Sequence, residues 1–308
     1  MKNSFYLLGL IVFPFLSSPL CAQQDSQYTQ YMYNTQTINP AYAGSRGIFG
    51  VTGLYRNQWV GFEGAPTTIN AGLNTPIGGS ERLGVGFNAY YDKIGPANES
   101  LVTGDLSYTI FLDYDINLAF GLKVGANVLN VDYSLLDVRD AEDLLLQSNI
   151  NNRISPVVGT GLYIYHEEDW YFGLSVPNIL ETSHYDGDAI STASEKANIY
   201  IIGGYVFELS NRIKFKPAFL TKFTSGAPAA VDISTNFLFN ERFTFGLGYR
   251  WDAALSGLAG FQVNDTVFVG YSYDFGLQEL GNFNSGSHEI FLRFEVGKFL
   301  RNFTGRFF

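Results

Sequence analysis

The sequence predicts an all-β fold: a transmembrane antiparallel β-barrel of about 14 strands, with short periplasmic turns and longer extracellular loops. Three observations predict it. Apolar residues alternate with polar residues or glycine in segment after segment, and period two marks a strand with two unlike faces. Charged residues fill only 16% of the 308 positions while aromatics fill another 16%, including 27 Phe and 20 Tyr. A soluble domain carries about 25% charged residues, so this chain has too few to cover a water-facing globule. No stretch beyond Ala22 approaches the ~20 consecutive apolar residues of a membrane helix. A soluble sandwich is the alternative, since its strands also alternate. Here, however, aromatics gather near strand ends, where membrane barrels place interfacial girdles.

Residues 1–22 read as a signal peptide, with Lys2 as its positive start, an apolar core from Phe5 to Leu16 and a small-residue exit from Ser17 to Ala22. A lipoprotein signal ending on Cys21 is the rival reading, to which Pro19 and Leu20 are poor fits. Residues 23–47 are expected to form an N-terminal strap, ordered and extended, along the periplasmic rim or as a plug in the lumen. Tyr28, Tyr31, Met32, Tyr33 and Tyr42 argue for packing there, and Pro40 stops any helix.

The barrel spans residues 48–296, with strands near 48–59, 67–75, 81–92, 100–112, 117–132, 153–165, 170–176, 197–209, 212–222, 230–239, 242–251, 254–263, 266–274 and 288–296. Leu83, Val85, Phe87, Ala89 and Tyr91 share one face against Gly84, Gly86, Asn88 and Asp92. Phe243, Phe245, Leu247 and Tyr249 are expected to meet lipid, and Thr244, Gly246, Gly248 and Arg250 to line a wet lumen. Lys214, Lys216 and Lys222 share a parity and are expected to be solvated there, near acids such as Asp232. The connections at Pro76 to Ser80, Asp113 to Ile116, His166 to Asp169, Ser210-Asn211, Asn240-Glu241 and Asn264-Asp265 are short and rich in turn formers. Those at Tyr133 to Asn152, Pro177 to Lys196 and Phe275 to Ser287 are the longest. Strand order places the short set on the periplasmic side and the long set outside, as in bacterial barrels. The first two long loops carry Asp137, Asp140, Glu142, Asp143, Glu181, Asp186, Asp188 and Glu195. Residues 297–308 form a tail or the end of a strand.

Little in the chain suggests catalysis. His166, His184 and His288 are isolated from one another. Neither a Gly-x-Ser-x-Gly elbow nor a phosphate loop is present, and Asp113, Asp115 and Asn117 lack the Gly and Glu that complete a calcium loop. We therefore expect no catalytic residues, no cofactor and no metal. A formal charge of -10 argues against a nucleic-acid partner, and the single cysteine excludes a disulfide framework.

Three stretches carry a family resemblance. They are Gln27 to Asn34 continuing to Asn39-Pro40-Ala41-Tyr42-Ala43-Gly44, then Arg56 to Thr67, and finally Phe172 to Asn178. The chain resembles the PorP/SprF family, outer-membrane proteins associated with type IX secretion in Bacteroidetes. The resemblance implies a non-enzymatic barrel in the outer membrane. Its expected partners are the lipid bilayer, other type IX secretion components, and a secreted, adhesin-like protein with a C-terminal sorting domain, passed outward or held at the surface during gliding. Candidate plug or partner-binding residues are Tyr31, Asn39, Pro40, Arg56, Trp59 and Phe62, with Trp59 and Phe62 expected to fold inward over the barrel mouth. A passive porin-like channel and, less favoured, a rim enzyme are the other function classes.

Overall fold

The computed structural model describes residues 27–135, 149–183, 194–296 and 307. The expected signal peptide with Cys21, the acids Asp137, Asp140, Glu142, Asp143, Asp186 and Asp188, His184 and nearly all of the 297–308 tail lie outside the described residues.

The wall is built from β1 (Phe49–Asn57), β2 (Thr67–Ile77), β3 (Leu83–Ile94), β4 (Ala97–Phe111), β5 (Ile116–Val131), β6 (Ile150–His166), β7 (Trp170–Val176), β10 (Asn198–Tyr205), β11 (Phe207–Ser210), β12 (Ile213–Thr224), β13 (Ala230–Phe239), β14 (Phe243–Arg250), β15 (Ala254–Asn264), β16 (Val267–Gly276) and β17 (Ser287–Val296). These 15 stretches form one sheet, and β10 and β11 are halves of a single wall strand broken at Val206, which leaves fourteen. Every neighbour is antiparallel. The ring closes because β10 bridges β7 to β12, while β17 pairs with β1 from Phe49 opposite Val296 to Asn57 opposite His288. Closure leaves no sheet edge to be satisfied in lipid.

All fourteen expected strands are present, with differences at their ends. β6 begins at Ile150, earlier than expected, because it follows β5 outward past a bulge between Leu129 and Val131. A two-residue hairpin, β8 (Thr182–Ser183) with β9 (Ser194–Glu195), stands in the long connection after β7; stretches that short carry no periodicity to read. One end of the barrel has only short turns and the other has the long connections, so the first faces the periplasm and the second the cell exterior.

The face assignment follows the alternation. Phe243, Phe245, Leu247 and Tyr249 point to lipid, and Thr244 is buried on the inner side. Arg250 reaches Asp232 across the inner face at 2.7 Å. What fills that inner side differs from expectation. Residues 28–48 run inside the barrel, where Tyr28, Tyr31, Met32, Tyr33 and Tyr42 pack with Leu54, Tyr163, Tyr171, Ile202, Phe268 and Phe291 as the largest buried cluster. The hydrophobic core of this protein therefore lies between its own N-terminal segment and the wall. The lumen at that level is packed rather than wet.

The segment is compact, not extended. Turns lead into a short helix, α1 (Thr35–Ile38), and then a 3-10 turn at Pro40–Tyr42. Pro40 does end α1, as its ring dictates. It also starts the next turn at a position where its missing N–H costs nothing, and the Asn39 side chain there accepts from the Ala41 N–H. Two wall glycines make room. A Cβ on Gly121 would strike the backbone of Pro40 and Ala41, and one on Gly84 would strike the Ala43 carbonyl.

Candidate functional site

The N-terminal segment is tied to the wall by charges that the alternation puts inside. Arg56, on β1, reaches Asp274 of β16 at 2.7 Å and Glu289 of β17 at 3.0 Å. Thr29 completes the group: Arg56 donates to its hydroxyl at 2.9 Å, and that hydroxyl donates onward to Asp274 at 2.7 Å. Glu289 accepts from the backbone N–H of Thr29 at 3.0 Å and of Gln30 at 2.8 Å. One buried cation thus satisfies two buried carboxylates, which in turn hold the start of the segment. A buried ion set persists only when paired and hydrogen-bonded in this way.

Other ties repeat the theme. Arg46 pairs with Glu295, which also lies 3.5 Å from Arg293. Lys123 lies 3.5 Å from Asp105 and donates to the Thr37 carbonyl at 3.1 Å, while Gln36 donates to Asp105 at 3.2 Å. Asn39 donates to the Leu162 carbonyl at 2.9 Å, Ser175 to the Ile38 carbonyl at 2.8 Å, and Tyr31 shares a hydrogen bond with Ser234 at 3.0 Å. Lys216, expected in solvent near Asp232, is fully buried. It donates to the Phe307 carbonyl at 2.6 Å and sits 4.4 Å from the ring centroids of Tyr33 and Phe307, a cation–π arrangement. Asp232 is already taken by Arg250. Lys222 is also buried, and Lys214 lies 3.4 Å from Glu208 instead. Burial raises the phenol of Tyr31 well above its usual value and pushes that of Tyr33 up to about 12.

The structure brings together Tyr31, Asn39, Pro40 and Arg56 inside the barrel. Trp59 and Phe62 do not join them, being 37% and 46% exposed. The reason is how their loop is pinned: Val60 donates to the Gly286 carbonyl and accepts from Ser285, and the Trp59 N–H donates to the Ser287 hydroxyl at 3.2 Å. With its backbone fixed to the neighbouring outer loop above a filled lumen, its aromatic side chains remain outside. The sequence reading missed Thr29, Asp274 and Glu289 as partners of Arg56. Their lumen-facing parity was visible, but which of them meet across the barrel is set by the register of β16, β17 and β1.

Above the segment, toward the exterior, lies a cavity of about 410 Å³. Its floor includes Tyr28, Thr37 and Ile38, and its sides come from the outer ends of strands between β2 and β10.

The family model for type IX secretion system membrane proteins PorP/SprF matches residues 20–294. The chain belongs to the PorP/SprF family. Among solved structures, this PorP/SprF protein is similar to the Ralstonia pickettii toluene transporter TbuX, at 11% identity and a TM-score of 0.51, covering 83% of this chain and 91% of that one. It is also similar to CymD, a monoaromatic hydrocarbon channel, at 11% identity and a TM-score of 0.51, covering 88% and 94%. At that identity the likeness is one of fold, an outer-membrane barrel. A comparison with curated proteins returns no match. Family and fold place the PorP/SprF protein in the outer membrane as a component of type IX secretion, and neither the family nor these neighbours are described as enzymes.

Proposed function

We propose that this PorP/SprF protein is a closed, non-enzymatic outer-membrane platform that binds a secreted, adhesin-like protein at its extracellular end, for export or surface attachment. In this reading residues 1–22 are removed as a signal peptide and residues 23–47 act as a plug. The observation that carries it is the filled lumen. Residues 28–48 occupy the barrel at the level of Tyr31, Tyr33 and Tyr42, which argues against a passive channel and leaves the outer surface as the working face. That surface has the long connections, which offer enough area to specify a protein. It also has the exposed aromatics Trp59 and Phe62, residue types suited to anchoring a protein contact. The acids of those connections tune encounter rate and salt dependence more than affinity. Asn39, Pro40 and Tyr31, being enclosed, serve the plug rather than the partner.

The test deletes residues within 136–148 or within 184–193 and detects cargo at the cell surface with antibody, at normal barrel abundance. Loss of one particular cargo with the barrel intact is the expected result. Unchanged cargo in both deletions moves the contact to the periplasmic turns and overturns the platform reading.

A further inference from the structure

We propose that the outer chamber above the N-terminal segment is a binding site for a neutral carbohydrate. Its size fits, because 410 Å³ lies within the range of about 300–1,000 Å³ typical of small-molecule sites and is far too small for a folded domain. Its lining carries both signs: the carboxylates Asp92 and Glu99 share it with Lys196 and with Lys123, which is already held by Asp105. An anion or a cation gains nothing from such a set, so a neutral ligand is selected.

Its uncharged polar groups are mainly of one kind. Six asparagines among the described residues line it, including Asn70, Asn88 and Asn198. A primary amide presents both a donor and an acceptor, the same pair that each hydroxyl of a sugar presents in return. Tyr90, half-buried, supplies aromatic surface in the same chamber, backed by the buried Tyr28 and Tyr200, and the C–H faces of a pyranose ring would pack on it, the electron-rich ring face meeting weakly positive hydrogens. One polar group in the chamber's lining lacks a partner. Asn88 is buried, with its carbonyl oxygen accepting from Asn70 at 2.7 Å, yet its Nδ2 has no partner among the described residues. A buried donor left unmade is costly, and a ligand hydroxyl in the chamber would relieve it.

This site is separate from the protein-docking surface proposed above, and its test does not use cargo. The purified full-length chain in detergent micelles is applied to an array of neutral, sialylated and sulfated oligosaccharides, beside an array of extended peptides. Retention on neutral oligosaccharides is expected. Tyr90→Ala and Asn88→Asp, which keeps the oxygen that Asn70 uses, should each weaken it about tenfold, the effect of one lost hydrogen bond or packing face. Heat-dependent gel mobility verifies that both variants keep the closed barrel; were either unfolded, Asn98→Ala at the chamber's side replaces it. No retention on any sugar, retention only of charged sugars or of peptides, or retention indifferent to these substitutions would each overturn the proposal.

Discussion

Arg56 holds two carboxylates that would otherwise face each other inside the barrel, so its removal leaves them buried with no cation in contact, Arg250 nearby being paired with Asp232. Arg56→Met should destabilise the protein by about 3–5 kcal/mol, the usual consequence of breaking a buried ion set from one side, as measured by urea unfolding from liposomes. Adding Asp274→Asn and Glu289→Gln should recover part of that loss, because the stranded charges go with it. On the outer face the governing quantity is contact with lipid. Leu247 is 71% exposed there, so Leu247→Arg should cost roughly 2–4 kcal/mol. Gly248→Arg, one residue on and turned to the lumen, should cost less; equal costs would mean that the faces are exchanged. The phenols give a pH signature. Tyr33 titrates near pH 10 in an unfolded chain but at about 12 when packed. A raised phenol contributes stability that is complete below the unfolded value and is lost as pH climbs toward the folded one. The N-terminal segment should therefore loosen between about pH 10 and 12, followed by tyrosinate absorbance together with ion conductance.

At the scale of elements, the strands were the most legible feature, since each has a lipid side that must be apolar and an inner side that need not be. The alternation at Leu83 to Tyr91 and at Phe243 to Tyr249 placed both walls correctly. The N-terminal segment was legible only as something that packs. Five large side chains between Tyr28 and Tyr42 signal burial, but a stretch without a repeating pattern carries no record of whether it coils or extends, or of which side chains across the barrel receive it. The same limit explains the misplaced Trp59 and Phe62, whose direction is fixed by backbone hydrogen bonds to Ser285 and Gly286, far along the chain. Lumenal glycines looked like small polar-face residues and prove to be clearances. Gly121→Val should push the segment from its seat, because the added carbons meet the backbone of Pro40 and Ala41. The expected result in planar bilayers is a conductance well above that of the unaltered protein, with deletion of residues 28–43 giving the larger increase. Equal conductance in all three would show that the segment does not close the pore.

The whole molecule is a ring whose filling comes from the part of the chain that precedes the ring. Thr29 and Gln30 are bound by Glu289, on β17, the strand that completes the circle against β1. The earliest described residues are thus grasped by the latest strand, more than 250 positions away. That arrangement imposes an order on assembly. A packed segment with wall on every side is hard to insert after the ring has shut, whereas one already lying along β1 gives each new strand an inner surface to settle on. Residues 28–48 would then serve during biogenesis as a mandrel around which the sheet is wound. A chain lacking them would be expected to close more slowly, and to conduct once it has closed.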